Sequence, residues 1–238
     1  MFKHIFDLLN NLYLCCIKIK IMAKKITVTK SSIIASYMNY ILEHNQQPKT
    51  PATFATYLAI SEKELYSFFG SLAKIEQELF SSFCDKTVEL LNQNEAYEQY
   101  DEKGKLLSFY FTFFELLTAN KTVVSFCLNQ HKNILKNAKT LTQLRQNFNN
   151  YSESIAPESV SDLPSTIQNF KEKATKEYYW MQLVATLHFW LNDDSLNFEK
   201  TDLFIEKGLK VTFDLKEHTP LESLLDFGKF LFKEKMQK

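Results

Sequence analysis

Glycine and proline are scarce in this chain, and their scarcity limits the folds open to it. Its 238 residues include four glycines and five prolines, whereas sheet-rich proteins use glycine in their many turns and proline interrupts helices. The long stretches without either residue carry apolar side chains at helical spacing. Because 45% of the residues are hydrophobic, a sizeable core is available. The sequence therefore predicts an all-α fold.

Charge and cysteine content narrow the classes of function. Lysine plus arginine number 28, as do aspartate plus glutamate, so the chain as a whole has no bias towards polyanions. Arg145 is the only arginine in the sequence. No arginine near the N-terminus can therefore form the bidentate hydrogen bonds that recognise guanine. Cys84 and Cys127 lie in apolar helical stretches, so we expect buried free thiols in a reducing cytoplasm. We find no catalytic motif, phosphate-binding loop or metal-ligand spacing, and predict a non-enzyme without cofactor, catalytic residue or metal.

Residues 1–22 are predicted to be an N-terminal extension. They are apolar, but Asp7, Asn10 and Asn11 interrupt the hydrophobic stretch. The stretch is therefore a poor export signal. It is also too short and too polar to span a bilayer. No other segment approaches transmembrane length, so we expect no integral membrane segment. The favoured explanation is that translation begins at Met22, and the alternative is a membrane-surface anchor.

Residues 23–80 carry the capping signals of three short helices. Thr50 precedes Pro51, a favoured pair at a helix start, and Ser61 is placed to form a capping box with Glu64. The first helix is expected to be capped by Ser31 or Ser32. The predicted helices are 31–44, 51–58, 62–69 and a longer fourth at 72–92, which together indicate a helix-turn-helix head.

Residues 81–238 are predicted to form a helical bundle. The stretch LLSFYFTFFELL at 106–117 is apolar nearly all round, which is typical of a helix at the centre of a bundle. A polar break is expected at 94–105 and a surface loop at 152–164. The other predicted helices are 121–136, 139–151, 165–191, 200–213 and 221–234.

The head resembles that of the tetracycline-repressor (TetR) superfamily. The matching residues are Thr50, Phe54-Ala55, Ala59-Ile60-Ser61, Leu65-Tyr66, Phe68-Phe69 and Ser71. The resemblance implies a helix-turn-helix DNA-binding domain at 23–80 and a helical ligand-binding and dimerisation domain at 81–238. It also implies a cytoplasmic, homodimeric one-component transcription regulator. Its partners would be DNA, a second copy of the chain and an apolar small molecule.

The surface expected to contact DNA departs from the family pattern. Glu62, Glu64, Gly70 and Leu72 stand where the family has small or basic residues. Because affinity for DNA rests largely on neutralised phosphates, this nearly neutral head is expected to bind weakly. The candidate DNA-binding residues are Lys24, Lys25, Lys30, Lys49, Thr50, Ser61, Lys63, Tyr66 and Ser67.

Aromatic residues of the body are candidates for lining an apolar ligand pocket, with plain core packing as the alternative. The candidates are Phe109, Tyr110, Phe113, Phe114, Phe126, Tyr179 and Trp180. The resemblance further implies a dimer face on the last long helices, formed by Trp180, Leu183, Leu187 and Trp190 with the helix at 200–213. The acidic pair that follows the long helix, Asp193 and Asp194, is expected to cap helices.

A second, shorter resemblance leads to an alternative function. Trp190-Leu191, Asp194-Ser195, Thr201-Asp202 and Phe204 are similar to the closing helices of the ubiquinone-biosynthesis lipid-binding proteins, another branch of the same superfold. That branch has lost DNA binding and holds isoprenoid lipids in its body. The alternative is therefore a TetR-fold accessory protein that binds a lipid and not DNA.

Overall fold

A computed structural model describes residues 28–129, 138–156 and 165–218 of the chain. Within these ranges every regular element is a helix, which confirms the predicted all-α fold. The α-helices are α1 (Lys30–His44), α2 (Pro51–Tyr57), α3 (Glu62–Phe68), α4 (Leu72–Asn92), α5 (Glu102–Ala119), α6 (Lys121–Asn129), α7 (Thr142–Ile155), α8 (Ser165–Leu191) and α9 (Glu199–His218). Short 3-10 turns lie at Glu95–Gln99 and Leu196–Phe198. None of these helices has the length and apolarity needed to cross a membrane.

Side-chain caps begin the three head helices. Thr50 and Ser61 are confirmed as caps, because their hydroxyls accept hydrogen bonds from the N–H groups of Thr53 and Glu64, each at 3.1 Å. The predicted cap of α1 is wrong. Thr29 caps this helix in a reciprocal capping box with Ser32, because the two hydroxyls satisfy each other's backbone N–H groups.

Aromatic and aliphatic side chains fill the core of the head. Ile33, Phe54 and Leu65, from three different helices, are at most 1% exposed. The ring of Tyr37 meets that of Phe54 edge to face at 5.5 Å. Leu42, which shares the helical spacing of the apolar set on α1, is 54% exposed. The inward side of α1 is therefore narrower than the hydrophobic pattern indicates.

Helix α4 belongs to both parts of the molecule. It packs on α1 of the head and also on α5 and α7 of the body. The predicted domain boundary after residue 80 falls in the middle of this helix. Head and body therefore share one rigid element.

Several predicted boundaries in the body are corrected. Helix α5 begins at Glu102, inside the predicted break, because Asp101 caps it by accepting a hydrogen bond from Gly104 N–H at 2.7 Å. Helix α7 continues to Ile155, and α9 to His218. The helix predicted at 121–136 is described as far as Asn129, and the one predicted at 221–234 lies outside the described residues.

Helix α5 lies at the centre of the body, as its apolar sequence predicts. It packs against α4, α6, α7 and α9. Full burial of one large apolar side chain stabilises the fold by about 1.5–3 kcal/mol, so this helix contributes much of the stability of the body. Its buried residues are Leu106, Phe109, Tyr110, Phe113, Phe114 and Leu117.

Candidate functional surfaces

Helix α3 is anchored on one side and exposed on the other. Leu65, and Phe69 directly after the helix, are 1% and 4% exposed. The turn before α3 is tight: Ala59 adopts a φ of 55°, and Ile60 N–H donates to the Ala55 carbonyl at 3.1 Å. Apart from the half-buried Phe68, the other side chains of α3 are exposed, the placement that a helix entering a DNA groove requires.

Two hydroxyl groups on α3 are engaged within the helix itself. Tyr66 Oη donates to Glu62 Oε1 at 3.0 Å, and Ser67 Oγ donates to the Glu64 carbonyl at 2.6 Å. The hydrogen bond to the Glu62 carboxylate raises the pKa of the exposed Tyr66 phenol. Lys63 is the basic side chain on this helix, and it is exposed.

Lys49, Thr50 and Ser61 are exposed at the starts of α2 and α3. The hydroxyl of Thr50 lies 2.9 Å from that of Thr53 in addition to its capping bond. The hydroxyl oxygens of Thr50 and Ser61 therefore each accept a hydrogen bond from the backbone of their own helix.

The predicted basic arm is described in part. Lys30, at the start of α1, lies 3.8 Å from Glu78 in an exposed ion pair, and its ammonium lies 5.8 Å from the centre of the Phe69 ring. Exposed pairs of this kind are weak, about 0–1 kcal/mol, so Lys30 can exchange Glu78 for another anion at little cost. Lys24 and Lys25 lie outside the described residues.

Most aromatic candidates of the body form a core in which rings contact rings. Phe109 stacks on Phe113 with centroids 5.5 Å apart. Tyr110 Oη donates to the Tyr179 carbonyl at 3.1 Å, and burial raises the pKa of Tyr110 well above its usual value. Phe109, Tyr110, Phe113, Phe114 and Tyr179 are at most 4% exposed, whereas Phe126 and Trp180 are half-buried.

Two residues of α7 also belong to this core, although they are not among the predicted ligand-binding residues. Phe109 lies 5.2 Å from Phe148 and 4.5 Å from Tyr151, measured between ring centroids. Tyr151 Oη lies 2.7 Å from Tyr97 Oη. The apolar spacing Leu144, Phe148, Tyr151 is the sequence signal that indicates them.

The predicted dimer face on α8 is wrong in three of its residues. Leu183, Leu187 and Trp190 are at most 1% exposed. Trp190 Nε1 donates to Thr118 Oγ1 of α5 at 2.9 Å. This side of α8 therefore faces the interior of the bundle, where its large apolar residues are buried.

A shallow apolar groove of about 430 Å³ lies on the outer side of α8 and α9. Its floor is the stacked pair Phe189 and Phe204, whose centroids are 4.6 Å apart. A Cβ at Gly208 would lie 1.9 Å from Gln182 Nε2, so α9 lies close to the Gln182 side chain of α8 at this point. The groove is lined by Phe189, Lys200, Leu203, Phe204, Lys207, Gly208 and Val211.

Asp193 holds the connection between α8 and α9 together. Its Oδ1 accepts from the N–H and Oγ of Ser195 at 2.9 and 2.7 Å, and its Oδ2 accepts from the N–H and Oγ1 of Thr201 at 2.9 and 2.6 Å. Burial opposes ionisation, but these four hydrogen bonds outweigh it and lower the pKa of Asp193 to about 2. Its predicted capping role is confirmed, whereas Asp194 is exposed and lies 3.4 Å from Lys200.

Burial keeps the two described cysteines unreactive. Cys84 and Cys127 are free and buried, as predicted, and burial raises the pKa of Cys84 to about 12. Such a thiol is protonated and unreactive at neutral pH. Across 28–129, 138–156 and 165–218, no three His, Cys, Asp or Glu side chains are grouped to hold a metal ion.

Comparison with known proteins identifies the body. The family model described as the tetracyclin repressor-like C-terminal domain matches residues 105–231, more than half of the chain. This match begins in α5 and covers all the later helices of the structure. No curated protein matches the chain.

Proposed function

The chain belongs to the tetracyclin repressor-like family, and we propose that it is a cytoplasmic one-component transcription regulator. Its head binds DNA as part of a homodimer, and an apolar small molecule in the body controls that binding. The observation that carries the proposal is the exposed helix α3, presented by a three-helix head on a body of this family. Helix α4 connects this head to the ligand-binding body. The chain therefore contains both parts that a one-component regulator needs, one for DNA and one for the ligand.

Contact with DNA is proposed through the exposed basic and hydroxyl groups of the head. Lys63 at the start of α3 reaches the groove, while Lys49 and Lys30 contact phosphates. Glu62 and Glu64 oppose this binding, because carboxylates repel phosphates and Glu62 also occupies the hydroxyl of Tyr66. The resulting affinity is low for each head, so two heads joined in a dimer are needed to bind two half-sites.

The dimer is proposed to form through the groove on α8 and α9. Leu203 and Val211 are 49% and 57% exposed, and they flank the stacked pair Phe189 and Phe204 on one surface. Apolar residues in one continuous patch mark an interaction surface. The occupant is a second copy of the chain, because the isologous pairing of two such faces covers both patches at once.

The ligand is proposed to contact Phe126 or Trp180. These are the two aromatic candidates that solvent reaches, and Arg145 lies over the ring of Trp180 at 5.6 Å. Rings of this size offer a large apolar contact area. A ligand is therefore expected to be flat or chain-like and mainly apolar.

The DNA-binding proposal is tested by titrating the full-length protein against its own upstream DNA at two salt concentrations. Lys63→Ala should weaken binding and lower the salt slope by about one. The matched control is Lys103→Ala, which changes an exposed lysine on α5. It should leave both the affinity and the salt slope unchanged. Glu62→Gln should tighten binding, because it removes a negative charge from α3. Absence of binding at low salt would refute the regulator.

The dimer proposal is tested by sedimentation or light scattering at micromolar concentration. Leu203→Glu places a charge in the groove and should give a monomer. Leu42→Glu changes an equally exposed leucine of the head, 54% exposed, and should remain dimeric. A wild-type monomer, or a dimer of the Leu203→Glu variant, would contradict this interface.

The second candidate function is a lipid-binding accessory protein without DNA activity. The hydrogen bond between Tyr66 and Glu62 favours it, because it removes an exposed hydroxyl from the surface that would meet phosphates. Mass spectrometry of lipids that co-purify with the protein separates the two functions. A bound isoprenoid lipid together with no DNA binding at low salt would establish this candidate.

A further inference from the structure

We propose that Lys139 of the body is an additional contact for DNA phosphates, next to the surface that the head presents. This contact rests on the proposed DNA-binding function, to which it adds a residue outside the head. The charge pattern of the sequence, the position of Lys139 beside α4 and its free ammonium group support it.

The sequence around Lys139 is basic over a long distance. Residues 116–152 form the longest stretch of the chain without aspartate or glutamate, so all 28 acidic residues lie outside it. In a chain with a net charge of zero, this stretch is a local excess of positive charge. Such an excess on one surface is the electrostatic feature of a protein that binds nucleic acid. The basic residues of the stretch are Lys121, Lys132, Lys136, Lys139 and Arg145.

The fold brings Lys139 to the end of α4 that adjoins α3. Gln77 of α4 donates its Nε2 hydrogen to the Lys139 carbonyl at 2.8 Å, and Thr142 Oγ1 donates to the same carbonyl at 2.9 Å. Gln77 lies about 9 Å along α4 from the cap Ser71, at 1.5 Å per residue. Since α3 ends at Phe68, Lys139 lies close to the helix that is proposed to enter the groove.

The ammonium group of Lys139 is free to bind an anion. The other described cations of this stretch are engaged: Arg145 pairs with Glu177, and the Lys121 ammonium lies 4.2 Å from the centre of the Phe198 ring. Lys139 is exposed, and it pairs with no carboxylate in the described part of the chain. It therefore loses no partner when it contacts a phosphate.

A second exposed lysine lies on the other side of Gln77. Lys74 Nζ donates to Gln77 Oε1 at 2.7 Å, so one amide contacts Lys74 through its oxygen and the backbone of Lys139 through its nitrogen. Two positive charges in one region attract an anion more strongly than either does alone. They offset part of the repulsion that Glu62 and Glu64 of α3 exert on DNA.

Fluorescence anisotropy of the full chain tests this contact, with its own upstream DNA and with a scrambled duplex of the same length. Lys139→Ala should weaken binding to both duplexes equally, because a phosphate contact carries no sequence information. It should lower the salt slope by about one for each head bound, so its loss of affinity should shrink about threefold per head between about 50 and 200 mM salt.

Two variants serve as controls. Lys139→Arg keeps the positive charge and should bind both duplexes as the wild type does. Lys103→Ala removes an exposed lysine outside the stretch and should change neither affinity nor salt slope. Thermal unfolding should show the same Tm for Lys139→Ala and wild type, because the altered side chain is exposed and the contacts of Lys139 with Gln77 and Thr142 are made by its backbone.

The possible outcomes separate this contact from the regulator itself. Wild-type DNA binding that Lys139→Ala leaves unchanged would overturn the contact and leave the regulator intact. A loss confined to the upstream DNA would also overturn it, since that result indicates recognition of bases. No binding of wild type to either duplex at low salt would refute both. Weaker binding of Lys139→Ala to phosphatidylglycerol vesicles, with DNA binding unchanged, would assign the charge to a membrane surface instead.

Discussion

Asp193→Asn is the substitution that tests the α8–α9 connection most directly. The change replaces one carboxylate oxygen by an NH₂ group and removes the charge. Both oxygens of Asp193 accept backbone N–H groups, one from Ser195 and one from Thr201. Whichever way the amide turns, its NH₂ group faces a backbone N–H that is left without an acceptor.

The expected cost follows from the burial of the site. Asp193 is 7% exposed and Thr201 1% exposed, so water does not replace the lost acceptor. An unsatisfied buried donor costs about 1–3 kcal/mol, and losing the charged acceptor adds to this. We expect a loss of about 3 kcal/mol in the free energy of unfolding. In a domain of this size that lowers Tm by about 6–12 °C.

The pH dependence gives a second, independent check. Because the folded-state pKa of Asp193 is lowered to about 2 from 3.8, its stabilisation is complete well above pH 4 and is lost as the pH falls through 2. The shift corresponds to about 2 kcal/mol in total, of which about 1 kcal/mol is lost between pH 6 and pH 3. The gap between wild type and Asp193→Asn should narrow by that amount.

Thermal unfolding followed by circular dichroism at both pH values measures these effects. Asp194→Asn is the control, because the adjacent carboxylate is exposed and has one weak ion pair with Lys200. It should change stability by less than about 0.5 kcal/mol. Equal effects of the two substitutions, or a gap that is the same at pH 3 and pH 6, would refute this account of the turn.

Two further predictions concern the core of the body and its tyrosines. Phe109→Ala should cost about 3–5 kcal/mol in unfolding free energy because it leaves a cavity among fully buried rings. Phe126→Ala, at a half-buried ring, should cost less than half of that. Equal losses of unfolding free energy, measured by urea unfolding, would contradict this packing. Alkaline unfolding should begin above pH 10, since raised folded-state pKa values keep these phenols protonated in the native protein while the unfolded chain ionises near 10. Ionisation of all 11 tyrosines of the chain at 295 nm before any loss of helicity would contradict this. The tyrosines concerned are Tyr37, Tyr110, Tyr151 and Tyr179.

Local signals were sufficient for most of the helices. The Thr50 cap with Pro51, the Ser61 cap and the all-round apolar stretch of α5 each act within a few residues, and each lies where the sequence predicts it. Boundaries were missed where a less conspicuous cap begins a helix, as with Thr29 and Asp101. Each of these residues is a good cap in a stretch with several other polar candidates, so the sequence alone does not select it.

The assignment of faces could not be made from the sequence. Leu183, Leu187 and Trp190 have the spacing of an exposed apolar seam as well as that of a core, and periodicity does not tell which surface a stripe meets. The structure buries all three inside the bundle and leaves Leu203 and Val211 exposed. Burial is decided by which helices pack together, and packing depends on residues far apart in the chain.

The sequence by itself determined that this protein is helical, that its head has three short helices and that its family is the tetracyclin repressor-like one. The helices depend on caps, turns and spacing, which are local. Only the tertiary structure decided that Glu76 receives two hydrogen bonds from the head and that the carboxylate of Asp193 reaches Thr201. Both roles depend on partners brought close by folding: Tyr37 lies 39 positions from Glu76, and Thr201 lies eight from Asp193.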